Sequence, residues 1–234
     1  RLFDHISSPY QRIDQEMIVG DIMDIDQVIE ATRGAYAVYN FAAIADIDEA
    51  HNKPIATATI NVLGNMHVLE AARIAGANRF VFASSVYVYS ESGSFYRASK
   101  QAAERFTETY HDRYGLDYTI LRYGSLYGRR ADLRNGIYRM LHEAIQKHSI
   151  TYHGSGNAMR EYIHVEDAAR MSVQVLAPEF ANRHLILTGQ ERMRIRDVMT
   201  MISEIMPWDV KLHFEEANAI AHYEITRYAF QHRV

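Results

Sequence analysis

The stretch RFVFASSVYVYSESGSFYRASK, residues 79–100, decides the fold class and the chemistry of this chain. Its first seven residues form an apolar run, which predicts a β-strand that ends at Ser85. A helical pattern follows, with Tyr96 and Lys100 near its start. Positions four apart on an α-helix lie on the same face, so we expect the phenol and the ammonium to point into one cleft.

A tyrosine beside a lysine can act as a proton-transfer group. A free tyrosine has a pKa of about 10, and an adjacent cation favours the phenolate and lowers that pKa. A hydroxyl from Ser85 would hold a substrate oxygen against the phenol of Tyr96. The alternative is that Tyr96 and Lys100 form an ordinary surface pair, so the surrounding sequence has to decide between the two.

Strand and helix patterns alternate through the first half of the chain. Predicted strands span 16–22, 35–43, 79–85 and 117–123, and predicted helices span about 23–33, 60–75 and 95–114. The run from Ala35 to Ala43 is apolar almost throughout, as expected of a parallel strand covered on both faces. This order predicts an α/β fold with a doubly wound parallel sheet.

The pattern loosens after Gly128. Helices are predicted near 135–147 and 195–206, and strands near 150–153, 184–188 and 210–214. We therefore predict a first domain over residues 1–128 and a smaller C-terminal lobe over 129–234. The lobe is interleaved with a return to the main sheet at about 160–190.

The composition excludes several classes of function. The chain has 25 Lys and Arg against 29 Asp and Glu, a net charge of −4, so we expect no nucleic-acid partner. No apolar run approaches the roughly 20 residues that span a bilayer, and the absence of cysteine excludes thiolate chemistry. The 12 histidines show no metal-binding spacing. We expect a cytoplasmic protein with no metal site and no membrane partner.

Several motifs occur in an order that is typical of one family. They are Gly20-Asp-Ile22, Asn40-Phe-Ala-Ala43, Asn61-Val-Leu-Gly64, Phe82-Ala-Ser-Ser85, Tyr96-Arg-Ala-Ser-Lys100, Leu121-Arg-Tyr-Gly-Ser-Leu-Tyr-Gly128 and Arg160-Glu-Tyr-Ile-His-Val-Glu-Asp167. With them the chain resembles the extended short-chain dehydrogenase/reductase family, in its NAD(P)-dependent nucleotide-sugar epimerase/dehydratase branch. The resemblance covers nearly the whole chain. It implies a Rossmann-like fold, with a partial dinucleotide-binding domain in 1–128 and a substrate-binding lobe in 129–234.

The resemblance also implies roles for individual residues. Ser85, Tyr96 and Lys100 would be catalytic, with Tyr96 moving the proton of a sugar hydroxyl while NAD, or alternatively NADP, exchanges hydride. The cofactor-binding residues would be Asp21, Ile22, Ala42, Ala43, Asn61, Ser84, Tyr96, Lys100 and Tyr123. The substrate-binding residues would be Ser85, Ser125 and Arg160. Arg160 would pair with the diphosphate, and the alternative for it is a surface salt bridge with Glu161 or Glu166.

Several departures from the family pattern affect this interpretation. The Gly-rich phosphate loop and the charged tip of the second strand are missing, and the run from Arg1 reads as structureless. We expect the first βαβ unit to exist in the protein but to be missing from this chain. Ser125 replaces a usual asparagine. Ser85-Val-Tyr87 replaces the Thr-Asp-Glu of dehydratases, which disfavours elimination of water.

The leading hypothesis is an NAD(P)-dependent epimerase or ketoreductase that acts on a nucleotide-activated sugar. The alternative is a non-catalytic nucleotide-binding or regulatory member of the same fold. The intact set of Ser85, Tyr96 and Lys100 argues against that alternative. The helices at 60–75 and 95–114 carry small residues beyond what one sheet face needs, at positions 71, 72, 98, 102 and 103. We therefore expect a homodimer through a four-helix bundle.

Overall fold

The computed structural model describes residues 1–216 and 223–225 of the 234-residue chain. Its contacts divide into two compact units. The first unit contains Arg1–Val88, Ser94–Arg122 and Val175–Leu185, and the second contains Tyr89–Gly93, Tyr123–Gln174 and the residues from Ile186 onward. The assignment of residues 1–128 to cofactor binding and of residues 129–234 to substrate binding stays a prediction.

Strands and helices alternate along the described chain. The strands are β1 (Leu2–Asp4), β2 (Met17–Val19), β3 (Ala37–Asn40), β4 (Arg79–Ser85), β5 (Tyr118–Tyr123), β6 (Ser125–Tyr127), β7 (Ser149–His153), β8 (Met159–His164), β9 (Arg183–Leu187), β10 (Arg192–Arg194) and β11 (Lys211–Glu215). The helices are α1 (Ile25–Thr32), α2 (Ile47–Asn52), α3 (Pro54–Ala58), α4 (Asn65–Ile74), α5 (Ser94–Tyr114), α6 (Gly136–Lys147), α7 (Val165–Gln174) and α8 (Ile195–Ile205).

The main sheet has the strand order β3-β4-β5-β9. β3 and β4 run parallel, with Ala37 opposite Arg79. α4 packs on β3 and α5 packs on β4, so helices connect the strands of the sheet. Leu69, Phe80 and Ile120 have 0% exposed surface and form the centre of the core. This arrangement confirms the predicted α/β class with a parallel sheet.

The N-terminal run begins with the short strand β1, so the prediction that the whole run is structureless is wrong for residues 2–4. β1 pairs with β2 in a separate parallel sheet, with Leu2 opposite Met17. The backbone N of Gly20 donates to the carbonyl of Asp4 over 2.9 Å. Phe3 packs against the core of the first unit. A strand of three residues is too short to show an alternating pattern, so the sequence alone did not reveal it.

β3 is shorter than predicted and ends at Asn40 instead of Ala43. The Oδ1 atom of Asn40 accepts a hydrogen bond from the backbone N of Ala42 at 3.1 Å, and its Nδ2 atom donates to Asn65 Oδ1 at 2.8 Å. A side chain that binds the backbone two residues on turns the chain out of a strand. Ala42 is therefore exposed just beyond the strand end.

The helix predicted over 60–75 has two parts, a π-helical turn over Thr59–Gly64 and then α4. α5 matches its predicted bounds within one residue. α4 and α5 both end where a glycine takes left-handed backbone, at Gly76 (φ 64°) and Gly115 (φ 71°). No helix in the described ranges has both the length and the apolar composition needed to cross a membrane.

The second unit has its own core. β8 lies between β6, which is parallel to it, and β10, which is antiparallel, while β11 runs parallel to β7. Ile150 and Met199 are fully buried where α6 and α8 pack together. The sequence did not predict β6 and β10, because each has three residues and is held by β8 rather than by its own pattern.

Candidate active site

Ser85, Tyr96 and Lys100 lie together in the first unit. Ser85 is the last residue of β4, and the other two lie near the start of α5. The hydroxyl of Ser85 forms a hydrogen bond with the phenol of Tyr96. The Nζ atom of Lys100 lies 5.8 Å from the centre of the Tyr96 ring. All three residues are buried, so a phenol, a hydroxyl and an ammonium form one buried cluster.

Lys100 binds the backbone of β4. Its Nζ atom donates to the carbonyl of Ala83 over 2.7 Å and lies 4.9 Å from the centre of the Phe82 ring. Burial lowers the pKa of Lys100 to about 8, although the nearby carboxylate of Glu104 raises it. The lysine therefore still carries its proton at neutral pH.

The pKa of Tyr96 moves against the expectation from the sequence. Burial raises it, and the hydrogen bond with Ser85 opposes that rise. The expected lowering by Lys100 is wrong for this structure, because the ammonium donates to Ala83 and faces the ring. Tyr96 is therefore a protonated phenol at neutral pH.

A buried polar network begins at Glu104, one helical turn after Lys100. Arg122 of β5 donates to this carboxylate twice, from Nε to Oε1 at 3.0 Å and from Nη2 to Oε2 at 2.6 Å. Ser84 also donates its hydroxyl to Oε1. Burial alone raises the pKa of Glu104, but its polar neighbours, of which Arg122 has the largest effect, lower it to about 2. Glu104 is therefore ionised.

His184 of β9 extends the network. Nη2 of Arg122 lies 2.7 Å from Nδ1 of His184, and Nε2 of His184 lies 2.9 Å from Oε1 of Glu108. An arginine nitrogen can only donate, so Nδ1 accepts and the imidazole proton lies on Nε2. His184 thus links Arg122 to Glu108.

Four of the predicted cofactor residues follow the ends of β2 and β3. Asp21 and Ala42 are exposed, and Ile22 and Ala43 are half-buried. The backbone N–H of Asp21 donates a hydrogen bond to Gln27 Oε1 at 3.1 Å. Asp21 and Ala42 are therefore exposed just beyond the carboxyl ends of β2 and β3, whereas Ile22 packs against the core of the first unit.

Asn61 and Ser84 use their polar atoms inside the protein. The Oδ1 atom of Asn61 accepts from the backbone N of Ile44 at 2.7 Å, and its Nδ2 atom donates to Ser99 Oγ at 2.9 Å. The hydroxyl of Ser84 donates to Glu104. Both side chains tie α5 to neighbouring segments, so they support the framework of the site.

The remaining predicted site residues belong to the second unit. The phenol oxygen of Tyr123 lies 2.6 Å from the hydroxyl of Ser172, and Ser125 is half-buried at the start of β6. Arg160 is 7% exposed on β8. Its Nη1 atom donates to the carbonyl of Tyr223 at 2.8 Å, and its guanidinium lies 4.3 Å from the centre of that ring. This burial excludes the alternative of a surface salt bridge.

Asp4 is a candidate that the sequence analysis missed. It is the last residue of β1, which pairs with the strand that leads to Gly20 and Asp21. Asp4 is therefore a charged residue at a strand tip, beside the strand that leads to predicted cofactor residues. The carboxylate of Asp4 is largely exposed, and Oδ1 lies 2.8 Å from Nδ1 of His5.

A parallel α/β sheet with a serine, a tyrosine and a lysine clustered at the end of one strand defines the short-chain dehydrogenase/reductase class. Within that class, residues 3–186 match the NAD dependent epimerase/dehydratase family. The match covers more than half of the chain, and the chain belongs to that family.

The relatives of this chain include proteins described as epimerases and as dehydratases. The chain is 26% identical over 199 residues to an uncharacterised UDP-glucose epimerase of Bacillus subtilis, covering 78% of this chain and 62% of the relative. It is 28% identical over 165 residues to UDP-glucuronate 4-epimerase of Thermodesulfobacterium geofontis, covering 65% and 51%. The chain therefore spans between about half and two thirds of the length of these relatives.

Solved structures show the same fold. UDP-glucose 4-epimerase of Thermotoga maritima, crystallised with UDP-glucose, has a TM-score of 0.87 at 20% identity, covering 97% of this chain and 81% of that one. UDP-glucuronic acid 4-epimerase of Bacillus cereus, in complex with UDP-glucuronic acid and NAD, has a TM-score of 0.80 at 22% identity, covering 86% and 69%. At these identities the likeness establishes the fold alone.

Proposed function

We propose that the protein is an NAD-dependent epimerase of a nucleotide-activated sugar, such as a UDP-hexose. The observation that carries this proposal is the buried cluster of Ser85, Tyr96 and Lys100, since perturbed titratable groups that share one buried site mark functional positions. The family of the chain and the described activities of its relatives support it.

In this mechanism Tyr96 exchanges a proton with a hydroxyl of the sugar. Ser85 donates a hydrogen bond to the same sugar oxygen and holds it near the phenol. Lys100 supplies the positive charge that stabilises the phenolate after its proton has left. When bound, NAD supplies hydride transfer at the sugar carbon.

The strand ends of the first unit fit a dinucleotide. Ala42 and Ala43 have small side chains, so a ligand can approach the backbone beyond β3. Asp21 and Ile22 form the corresponding edge beyond β2. The exposed carboxylate of Asp4 can accept hydrogen bonds from ribose hydroxyls and would repel the 2′-phosphate of NADP, so we propose NAD as the cofactor.

The residues after Ser85 favour an epimerase over a dehydratase. Val86 is buried, and the ring of Tyr87 packs edge-on against Tyr96 with 6.1 Å between ring centres. Neither side chain carries a carboxyl group, whereas elimination of water needs an acid and a base at the substrate.

Arg160 is the proposed ligand of the sugar nucleotide's diphosphate. The carbonyl and ring of Tyr223 hold its guanidinium in one orientation. A fixed guanidinium pairs with phosphate oxygens at less cost in side-chain entropy than a mobile one.

A ketoreductase acting on a related keto sugar is the second candidate. The raised pKa of Tyr96 favours this activity, because a protonated phenol is ready to donate to a carbonyl oxygen.

The proposal is tested with the purified full-length protein, NAD, and UDP-glucose or UDP-glucuronate. We expect the 4-epimer to accumulate in NMR spectra without net NADH, because the hydride returns to the sugar. A ketoreductase would instead form no epimer. In a second assay, with NADH and a nucleotide-linked keto sugar, it would oxidise one NADH for each sugar that it reduces. Binding of the sugar nucleotide without any conversion would contradict both and favour the non-catalytic alternative.

The alanines predicted to form a dimer interface do not all face outward. Ala71, Ala72 and Ala103 have 0% exposed surface and pack in the core of the first unit, so they give no support to a dimer. Phe95 and Phe106, by contrast, are 46% and 36% exposed and lie on one face of α5. Their spacing of eleven residues corresponds to about three helical turns. We propose that this stripe joins two copies of the protein in a homodimer.

Light scattering tests the dimer. We expect a dimer at micromolar concentration, and we expect Phe106→Glu to give a monomer, since the charge would be desolvated in the interface. Ile205→Glu, at a 70% exposed position of α8 in the second unit, is the matched control and should remain dimeric. A monomeric parent protein would rule out the homodimer.

A further inference from the structure

Glu104 is a buried carboxylate that the mechanism above does not use. It is 5% exposed and lies one turn after Lys100, which is 4% exposed. Positions four apart lie on the same helix face, so the two charges face one side of α5. Burying a carboxylate costs free energy unless it is paired and hydrogen-bonded, so its position beside this lysine calls for a physical reason.

Glu104 and Lys100 bind consecutive residues at the end of β4. Lys100 donates to the carbonyl of the residue before Ser84, and the hydroxyl of Ser84 donates to Glu104. The next residue is Ser85, which binds the phenol of Tyr96. These contacts hold β4 and α5 in the register that places the serine hydroxyl at the phenol.

Arg122 fixes both the position and the charge of Glu104. Its two hydrogen bonds to the carboxylate measure 3.0 and 2.6 Å. A bidentate pair of this kind restricts the carboxylate to one orientation and favours its ionised form. The negative charge beside Lys100 is therefore a permanent part of the site at neutral pH.

We propose that Glu104 is a positioning residue for Lys100: its carboxylate, held by Arg122, keeps the lysine an ammonium that can stabilise the phenolate of Tyr96. This inference rests on the proposed role of Tyr96 in proton transfer. Glu104 acts through Lys100 and does not itself contact the substrate.

The electrostatics of the site agree with this role. Burial lowers the pKa of Lys100 to about 8, and Glu104 raises it against that effect. Without the carboxylate, the pKa of the lysine would fall further, toward the pH at which the enzyme works. A neutral amine would leave the phenolate without its counter-ion.

Other charged or titratable groups on the elements around α5 have their own surroundings. Arg122 of β5 binds Glu104, His184 of β9 lies 2.9 Å from Glu108, and Arg79 of β4 donates to Thr119. On α2, Glu49 binds Lys53, His51 lies 3.0 Å from Ser94 Oγ, and Asp48 is exposed. On α4, Glu70 binds Arg73, and His67 lies 3.0 Å from the carbonyl of Ile22. On α5 itself, Tyr96 is the titratable neighbour of Lys100. Glu104 is the carboxylate whose charge raises the pKa of Lys100.

The test is an NMR titration of Lys100 in the purified full-length protein with ¹³C-labelled lysine side chains. This chain contains four lysines, Lys53, Lys100, Lys147 and Lys211, and Lys100→Arg identifies the resonance. We expect its midpoint to lie near pH 8 in the parent. In Glu104→Gln the midpoint should fall by about one pH unit, and the alkaline limb of the turnover profile should move with it.

Glu108→Gln is the matched control, because it makes the same change one turn further along α5 and should leave the Lys100 midpoint unchanged. An unchanged midpoint in a folded Glu104→Gln protein would overturn the inference. If that variant does not fold, Glu104→Asp is the second variant. It keeps the negative charge, but its side chain is one methylene shorter, which moves the carboxylate away from its present position. A smaller fall is then expected, and no fall would overturn the inference.

The titration needs no substrate, so it separates this inference from the proposed function. If the parent protein converts no sugar, but the Lys100 midpoint falls in Glu104→Gln and not in Glu108→Gln, the epimerase is refuted and the electrostatic role of Glu104 is retained.

Discussion

Tyr96→Phe in the full-length protein should lower turnover by about 10²- to 10⁴-fold while the protein stays folded. The change removes one oxygen and keeps a ring that is already buried against Tyr87. Proton transfer is therefore lost and packing is kept. The measurement is kcat on the proposed UDP-sugar substrate, with the Tm as a check on folding.

Tyr110→Phe controls for the loss of a phenol oxygen on the same helix. Tyr110 also lies on α5, where its hydroxyl is 3.3 Å from a carboxylate oxygen of Glu70. We expect its kcat to stay within a few-fold of the parent value. If Tyr96→Phe shows the same mild effect, Tyr96 is not the proton-transfer residue.

Arg122→Met should lower the free energy of unfolding by about 3–5 kcal/mol. Methionine occupies much of the same space, but Glu104 then remains buried without its bidentate partner. The measurement is urea denaturation of the purified protein. A free energy of unfolding equal to that of the parent would show that the pair adds nothing to stability.

Arg105→Met is the matched control on the surface. Arg105 pairs with Glu108 at 2.7 Å, but its side chain is 81% exposed. An exposed pair contributes between 0 and about 1 kcal/mol, so Arg105→Met should leave the free energy of unfolding nearly unchanged.

The same pair makes stability depend on pH. Folding lowers the pKa of Glu104 from its ordinary value of 4.5 to about 2. The stabilisation is therefore fully present above about pH 4.5, and it is lost as the pH falls toward 2. In Arg122→Met this acid-side loss should be smaller, because the native carboxylate no longer has a strongly lowered pKa.

The sequence predicted those parts of the site that depend on local pattern. β4 and α5 appear at the predicted positions, because one is a continuous apolar run and the other has a helical period bounded by Gly115. The spacing of Tyr96 and Lys100 follows from the helix itself. The cluster with Ser85 could be predicted as well, because Ser85 ends β4 and the start of α5 faces that end of the strand.

Other parts depend on tertiary contacts, and the sequence pattern does not encode them. Arg122 reaches Glu104, and His184 reaches Glu108, from two strands that are far apart in sequence. Asp4 became a candidate site residue only because β1 pairs with β2, which the sequence pattern does not predict. The direction of the Tyr96 pKa shift depends on burial, which spacing along a helix does not reveal.

The first unit is assembled from three separate stretches of the chain, and this has a consequence for biosynthesis. A ribosome completes β5 and then makes residues 124–174 before it supplies β9. The edge of β5 that β9 covers therefore stays open until β9 has been synthesised. A truncation after Gly128 would remove β9 from the first unit and leave that edge uncovered.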